Sequence, residues 1–102
     1  MARAVEVGDY IQDQFREARQ KLPLIGDVRG KGLMVGVELI NADSSPAGEI
    51  VKAVIKESRT RGIVLTKCGA STLRFAPPLI ITREQAEKEA TAILEILHDH
   101  QW

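Results

Sequence analysis

The chain is short of cysteine, of surplus charge and of long apolar runs, and each shortage excludes something. Cys68 stands alone, so no internal disulfide can form, and no second cysteine lies at metal-ligand spacing; this fits a reducing, cytoplasmic compartment. The 14 basic residues cancel the 14 acidic ones, so the overall charge calls for no nucleic acid, no anionic membrane and no polyanionic partner. Met1-Ala2-Arg3-Ala4-Val5-Glu6-Val7 lacks the apolar stretch of a signal peptide, and no run approaches the ~20 apolar residues needed to span a bilayer. A soluble protein is expected.

What is present is enough for one core. At 102 residues and 44% hydrophobic content, a single domain is expected. Ala4, Gly8, Ile11, Phe15, Ala18 and Leu22 step by fours and threes along one helical stripe that Pro23 stops. That helix begins almost at residue 1 without a cap, which suggests a chain cut from something longer. Ile25–Arg29 and Leu33–Leu39 flank Gly30-Lys31-Gly32 and predict a hairpin whose second strand turns Leu33, Val35, Val37 and Leu39 to one face.

Asn41–Pro46 is rich in turn formers, with Ser45 as N-cap and Pro46 at the first position of a second helix. Ala47, Ile50, Val51, Val54, Ile55 and Ser58 form its inner stripe, and Gly62 suits its end. Ile63-Val64-Leu65-Thr66 predicts a buried third strand, and Thr72–Ala76 a fourth that Pro77-Pro78 ends. Thr82-Arg83-Glu84-Gln85 has the capping-box pattern, opening a third helix whose inner face is Ala86, Ala90, Ile93, Leu94 and Leu97. The order αββαββα predicts an α+β, two-layer small domain with a mainly antiparallel sheet and helices on one face. Nothing in the chain covers the other face.

Few residues could carry chemistry. The glycines of Arg29–Gly36 superficially suit a phosphate loop, but a dinucleotide fingerprint needs a helix after the glycine turn and a strand follows here. Lys31 and Lys67 lie in loops without the apolar surroundings that would make either a Schiff-base amine. Cys68 has no base that sequence can place beside it, and His98-Asp99-His100 sits at a helix end where a solvated tail is the default. Arg74 is the most suggestive residue. Alternation sends it to the face opposite Leu73 and Phe75, and a held guanidinium suits bidentate carboxylate recognition. On pattern alone an ordinary solvated strand arginine is the commoner reading.

Two stretches carry more. Val28-Arg29-Gly30-Lys31-Gly32-Leu33-Met34-Val35-Gly36-Val37-Glu38-Leu39 and Leu73-Arg74-Phe75-Ala76-Pro77-Pro78-Leu79-Ile80-Ile81-Thr82 resemble the end of class III, fold-type I aminotransferases that use pyridoxal phosphate. The resemblance covers nearly the whole chain. It implies that residues 1–102 are the carboxyl-terminal small domain of such an enzyme. The imine-forming lysine, the acid on the pyridine nitrogen and most phosphate contacts would then lie in a large domain absent from this chain.

The resemblance further implies that Arg74 contacts a substrate carboxylate, with no catalytic, cofactor or metal ligand otherwise expected in the chain. Cys68-Gly69 before the strand looks most like the 4-aminobutyrate branch, so amino transfer from 4-aminobutyrate or a related omega-amino acid to a 2-oxo acid is the preferred reading. Acetylornithine or ornithine aminotransferase and an amino-acid racemase stay open, as does a free-standing interaction domain. The partners implied are these substrates, the large domain and a second subunit, since the family is dimeric; the isolated chain is expected to be inactive, to bind no cofactor and to self-associate.

Overall fold

The computed structural model describes residues 2–32, 34–76 and 81–102, the first helical turn (2–5) as backbone only. Helix α1 spans Ala2–Arg19, strands β1 and β2 span Ile25–Lys31 and Met34–Leu39, and helix α2 spans Gly48–Thr60. Strands β3 (Thr66–Cys68) and β4 (Thr72–Phe75) and helix α3 (Arg83–Asp99) complete the order. The strands form one antiparallel sheet in the order β1-β2-β4-β3. The αββαββα order and the α+β class are those the sequence predicts.

The core lies between the sheet and the helices. Val28, Val35, Val37, Leu73 and Phe75 alternate onto one face and are buried with Ile11 and Phe15 of α1 and Val51 and Val54 of α2. Full burial of each such side chain contributes roughly 1.5–3 kcal/mol. Helix α1 packs over β1 and β2, α2 over β2, β3 and β4, and α3 against both helices. Leu22 donates its N–H to the Ala18 carbonyl at 2.8 Å, so the α1 turn runs on to the residue before Pro23, where a helix has to stop. On α3 the buried positions are Ala86, Ala90, Ile93, Ile96 and Leu97; Ile96 takes the place predicted for Leu94, which is half-buried.

Several local expectations are corrected. Strand β1 continues through Gly30 and Lys31, and of the three residues expected in the turn Gly32, at φ +60°, alone lies beyond the strand. Gly30 is a strand glycine for another reason: a Cβ there would run into the Gln12 side chain and stand 2.9 Å from the Met34 carbonyl. Helix α2 starts at Gly48 with Ala47 as its cap and no side-chain capping bond. Ser45 is engaged elsewhere, donating its hydroxyl to Asp43 at 2.5 Å and accepting from Asn41 at 3.0 Å, while Pro46 bridges Ile40. Those Ser45 bonds hold the Asp43 carboxyl below its ordinary range.

The third strand is also displaced. Ile63 and Leu65 are buried, but the ladder with β4 begins at Thr66↔Arg74; ahead of it the Ile63 N–H donates to the Ser58 carbonyl at 2.9 Å, a helix-end bond and not a strand pairing. Strand β3 itself is exposed along its length. Of the predicted solvated tail His98-Asp99-His100, His98 and Asp99 are exposed as predicted, while His100 is half-buried. His100 meets Glu57 at 3.3 Å, the Gln101 side-chain Oε1 accepts from the Leu24 N–H at 3.2 Å, and the Trp102 indole donates to the Ile40 carbonyl at 2.9 Å. Leu24 and Ile40 are the residues that continue the β1–β2 ladder at its open end, so the tail completes it. The apolar-face position of Leu33, the strand stop at Pro77-Pro78 and the lead-in Leu79-Ile80 lie outside the described residues.

Thr82 accepts from the Gln85 N–H and Gln85 returns a bond to the Thr82 N–H, both at 3.1 Å, as the capping-box pattern predicts. Thr82→Ala is expected to cost about 1 kcal/mol, read as a lower denaturation midpoint. Burial raises the Glu89 carboxyl above its ordinary value of 4.5. The folded state then holds that proton more tightly, so an ionisation penalty is present at neutral pH and disappears as pH falls below the ordinary value. Glu89→Gln is expected to raise the melting temperature at pH 7 and to leave it unchanged at pH 4.

Candidate functional site

The pleat that buries Leu73 and Phe75 turns Arg74 outward onto the face no helix covers. The cross-strand registers place it in a row that runs Arg29, Gly36, Arg74, Thr66 across all four strands. Adjacent strands lie about 4.8 Å apart. One row along toward the open end of the hairpin stand Asp27, Glu38, Thr72 and Cys68, and toward its tip Lys31 and Met34.

These rows enclose a depression of about 530 Å³, lined by Arg29, Gly30, Lys31, Met34, Gly36, Thr72, Cys68 and Arg74. Gly36 contributes no side chain, so the middle of the row is low. The two arginines differ in their engagement. Arg29 bridges Asp27 at 3.4 Å and Glu38 at 3.5 Å, while Arg74 has no ion pair or side-chain hydrogen bond among the described residues. An exposed, strand-mounted guanidinium can receive a planar anion bidentately.

The other sequence candidates are scattered. Cys68 is exposed and lines this depression, but His98 and His100 sit at the carboxyl end of α3 and do not line it. Among the described residues no group of three or more His, Cys, Asp or Glu could hold a metal ion. Lys67 points toward the start of α2, where a Cβ on Gly48 would lie 3.8 Å from its Nζ. A second depression of about 530 Å³ lies where α1 and α3 end, lined in part by Leu22, Leu94 and His98; its Arg61 is already bound to Glu95 at 3.0 Å. Sequence reasoning singled out Arg74 and passed over Arg29, Gly36 and Thr72 as its neighbours. The missing signal was the register between strands, which no single-strand pattern carries.

Comparison with known proteins identifies the family and the fold. Residues 1–97 match the profile of the family Aminotransferase class-III. The chain belongs to the class-III aminotransferases. It is 35% identical to the alanine/serine racemase of Pyrococcus horikoshii over 97% of this chain and 21% of that protein. It is 34% identical to the 5-aminovalerate aminotransferase of Pseudomonas aeruginosa over 93% of this chain and 23% of that protein. The fold matches the Arthrobacter phospholyase solved in complex with phosphoethanolamine with a TM-score of 0.91 and 30% identity, covering 96% of this chain and 24% of that one. This class-III chain thus spans under a quarter of the length of these relatives.

An exposed ion pair in this chain contributes about 0–1 kcal/mol. Arg29→Ala is therefore expected to lower stability by no more than about 1 kcal/mol, and Arg74→Ala by less, since no pair is lost. Urea unfolding of the two variants checks the order.

Proposed function

We propose that residues 1–102 are the carboxyl-terminal small domain of a pyridoxal-phosphate-dependent transaminase, and that Arg74 binds the substrate's carboxylate. The observation that carries this reading is a free guanidinium fixed by a strand on the uncovered sheet face, in a depression that also holds Lys31 and Arg29. Pyridoxal phosphate supplies the electron sink in such chemistry. The residues of this chain do not fit the work of holding it: every lysine from Lys21 to Lys88 is exposed, whereas imine formation calls for a desolvated amine of lowered pKa. Cofactor and imine lysine are therefore assigned to the large domain, and the isolated chain is inactive.

The substrate proposed is 4-aminobutyrate or a related omega-amino acid, with a 2-oxo acid as acceptor. A relative named for 5-aminovalerate, a longer omega-amino acid, supports that class. A second reading, racemisation of an alpha-amino acid, is favoured by the relative named as an alanine/serine racemase. Arg74 has the same part in both, holding one carboxylate while chemistry proceeds elsewhere. The working protein is proposed to be a cytoplasmic dimer whose large domain faces the uncovered sheet.

In the full-length enzyme, Arg74→Ala is expected to raise KM and to lower kcat/KM about 10- to 100-fold, the worth of one charge-assisted hydrogen-bonded contact. Arg74→Lys should recover part of the loss, since a point charge replaces the fork. Steady-state kinetics with 4-aminobutyrate and a chiral assay with L-alanine separate the two readings, and unchanged kinetics in Arg74→Ala would remove the assignment.

A further inference from the structure

We propose that Gly36 is a specificity-determining position of this site: the side chain it lacks leaves the floor on which a flat carboxylate lies against the sheet within reach of Arg74. The proposal rests on the reading of Arg74 given above. In the register Gly36 stands directly opposite Arg74 on one side and Arg29 on the other. Its chain neighbours Val35 and Val37 are buried, so a side chain at 36 would project to the uncovered face, into the depression it lines.

Nothing among the described residues calls for glycine at this position. Its φ is not among the left-handed ones, which belong to Gly32, Gly62 and Gly69. Among the described residues a Cβ at Gly36 would meet the Thr72 Cγ2 at 3.5 Å and the Arg29 carbonyl at 3.8 Å, ordinary van der Waals distances. Gly30 is the contrast, since its backbone is in contact with Gln12 and tolerates no side chain. Glycine weakens a strand interior and often marks a place where a ligand or another backbone approaches closely. Here the internal causes are missing, and the space kept open lies between two guanidinium-bearing strands.

The chemistry explains why the space matters. A bidentate contact needs the carboxylate in the plane of the guanidinium fork. A methyl at 36 would begin to lift the occupant off the sheet, and the branched side chain of valine would fill the floor. The occupant class is therefore a planar carboxylate, and an amine without one gains nothing from the bare glycine.

The test uses the full-length enzyme as Gly36→Ala, Gly36→Val and Arg74→Ala, with KM measured for its best amino-acid substrate and for the matching amine that lacks the carboxylate, and with thermal melts of each. A misplacement of about 1 Å can cost roughly a hundredfold. The expected result is a KM for the amino acid that rises with side-chain size, roughly tenfold for Val and less for Ala, with the amine unaffected and the melting temperature equal or higher. If Arg74→Ala raises KM while both Gly36 variants leave it unchanged, the role of Gly36 is wrong and the carboxylate site stands. If Arg74→Ala changes nothing, the site itself is wrong. If the Gly36 variants melt lower and affect both substrates alike, Gly36 is a packing position for the rest of the protein and the proposal fails. Should Gly36→Val not fold, Gly36→Ser takes its place in the series.

Discussion

The direction in which Arg74 points is decided by its neighbours. Leu73 and Phe75 pair with Val37 and Val35 and are buried with them beneath α1 and α2. A slip of one residue in the β2–β4 register would expose all of this apolar surface and drive a guanidinium into the core. The same register sets Gly36 beside Arg74 and Thr72 beside Glu38. The hydrophobic alternation of two short strands thus fixes a polar arrangement to which none of its members contributes much energy.

Local signals read well from the sequence where one segment decides its own structure. Thr82 and Gln85 announce a capping box because both halves of it lie within four residues, and the α1 stripe of Ile11 and Phe15 follows from helical spacing alone. Reading failed where a residue's partner lies elsewhere in the chain. Ser45 looks like a helix cap until Asp43 and Asn41 take its hydroxyl. Ile63 and Leu65 look like a strand, yet the partner ladder begins only at Thr66. His100 looked solvated because its partner Glu57 lies 43 residues away, and the Gln101 and Trp102 contacts reach back 77 and 62 residues to Leu24 and Ile40. The candidate site behaves the same way: Arg74 was visible in its own strand, whereas Arg29 and Gly36 become its neighbours only through pairing.

The two faces of the sheet are put to different use. The helix-side face spends its alternate positions on burial and has one glycine, Gly30, where the Gln12 side chain lies against the backbone. The uncovered face carries charge graded along the strands, with Asp27 and Glu38 toward the open end of the hairpin and Lys31 near its tip. The zero net charge of the whole chain conceals this local separation, which is why composition said nothing about small-molecule ligands.

Arg29 and Arg74 share a row, and the difference in what holds them has a kinetic meaning. An anion recruited by Arg29 would first have to draw it away from two carboxylates, so part of the encounter would be spent on exchange. Arg74 has no such carboxylate partner among the described residues. On the proposed reading, a carboxylate reaching it breaks no ion pair among the described residues and one leaving it strands none, so exchange at this arginine starts from a hydrated guanidinium.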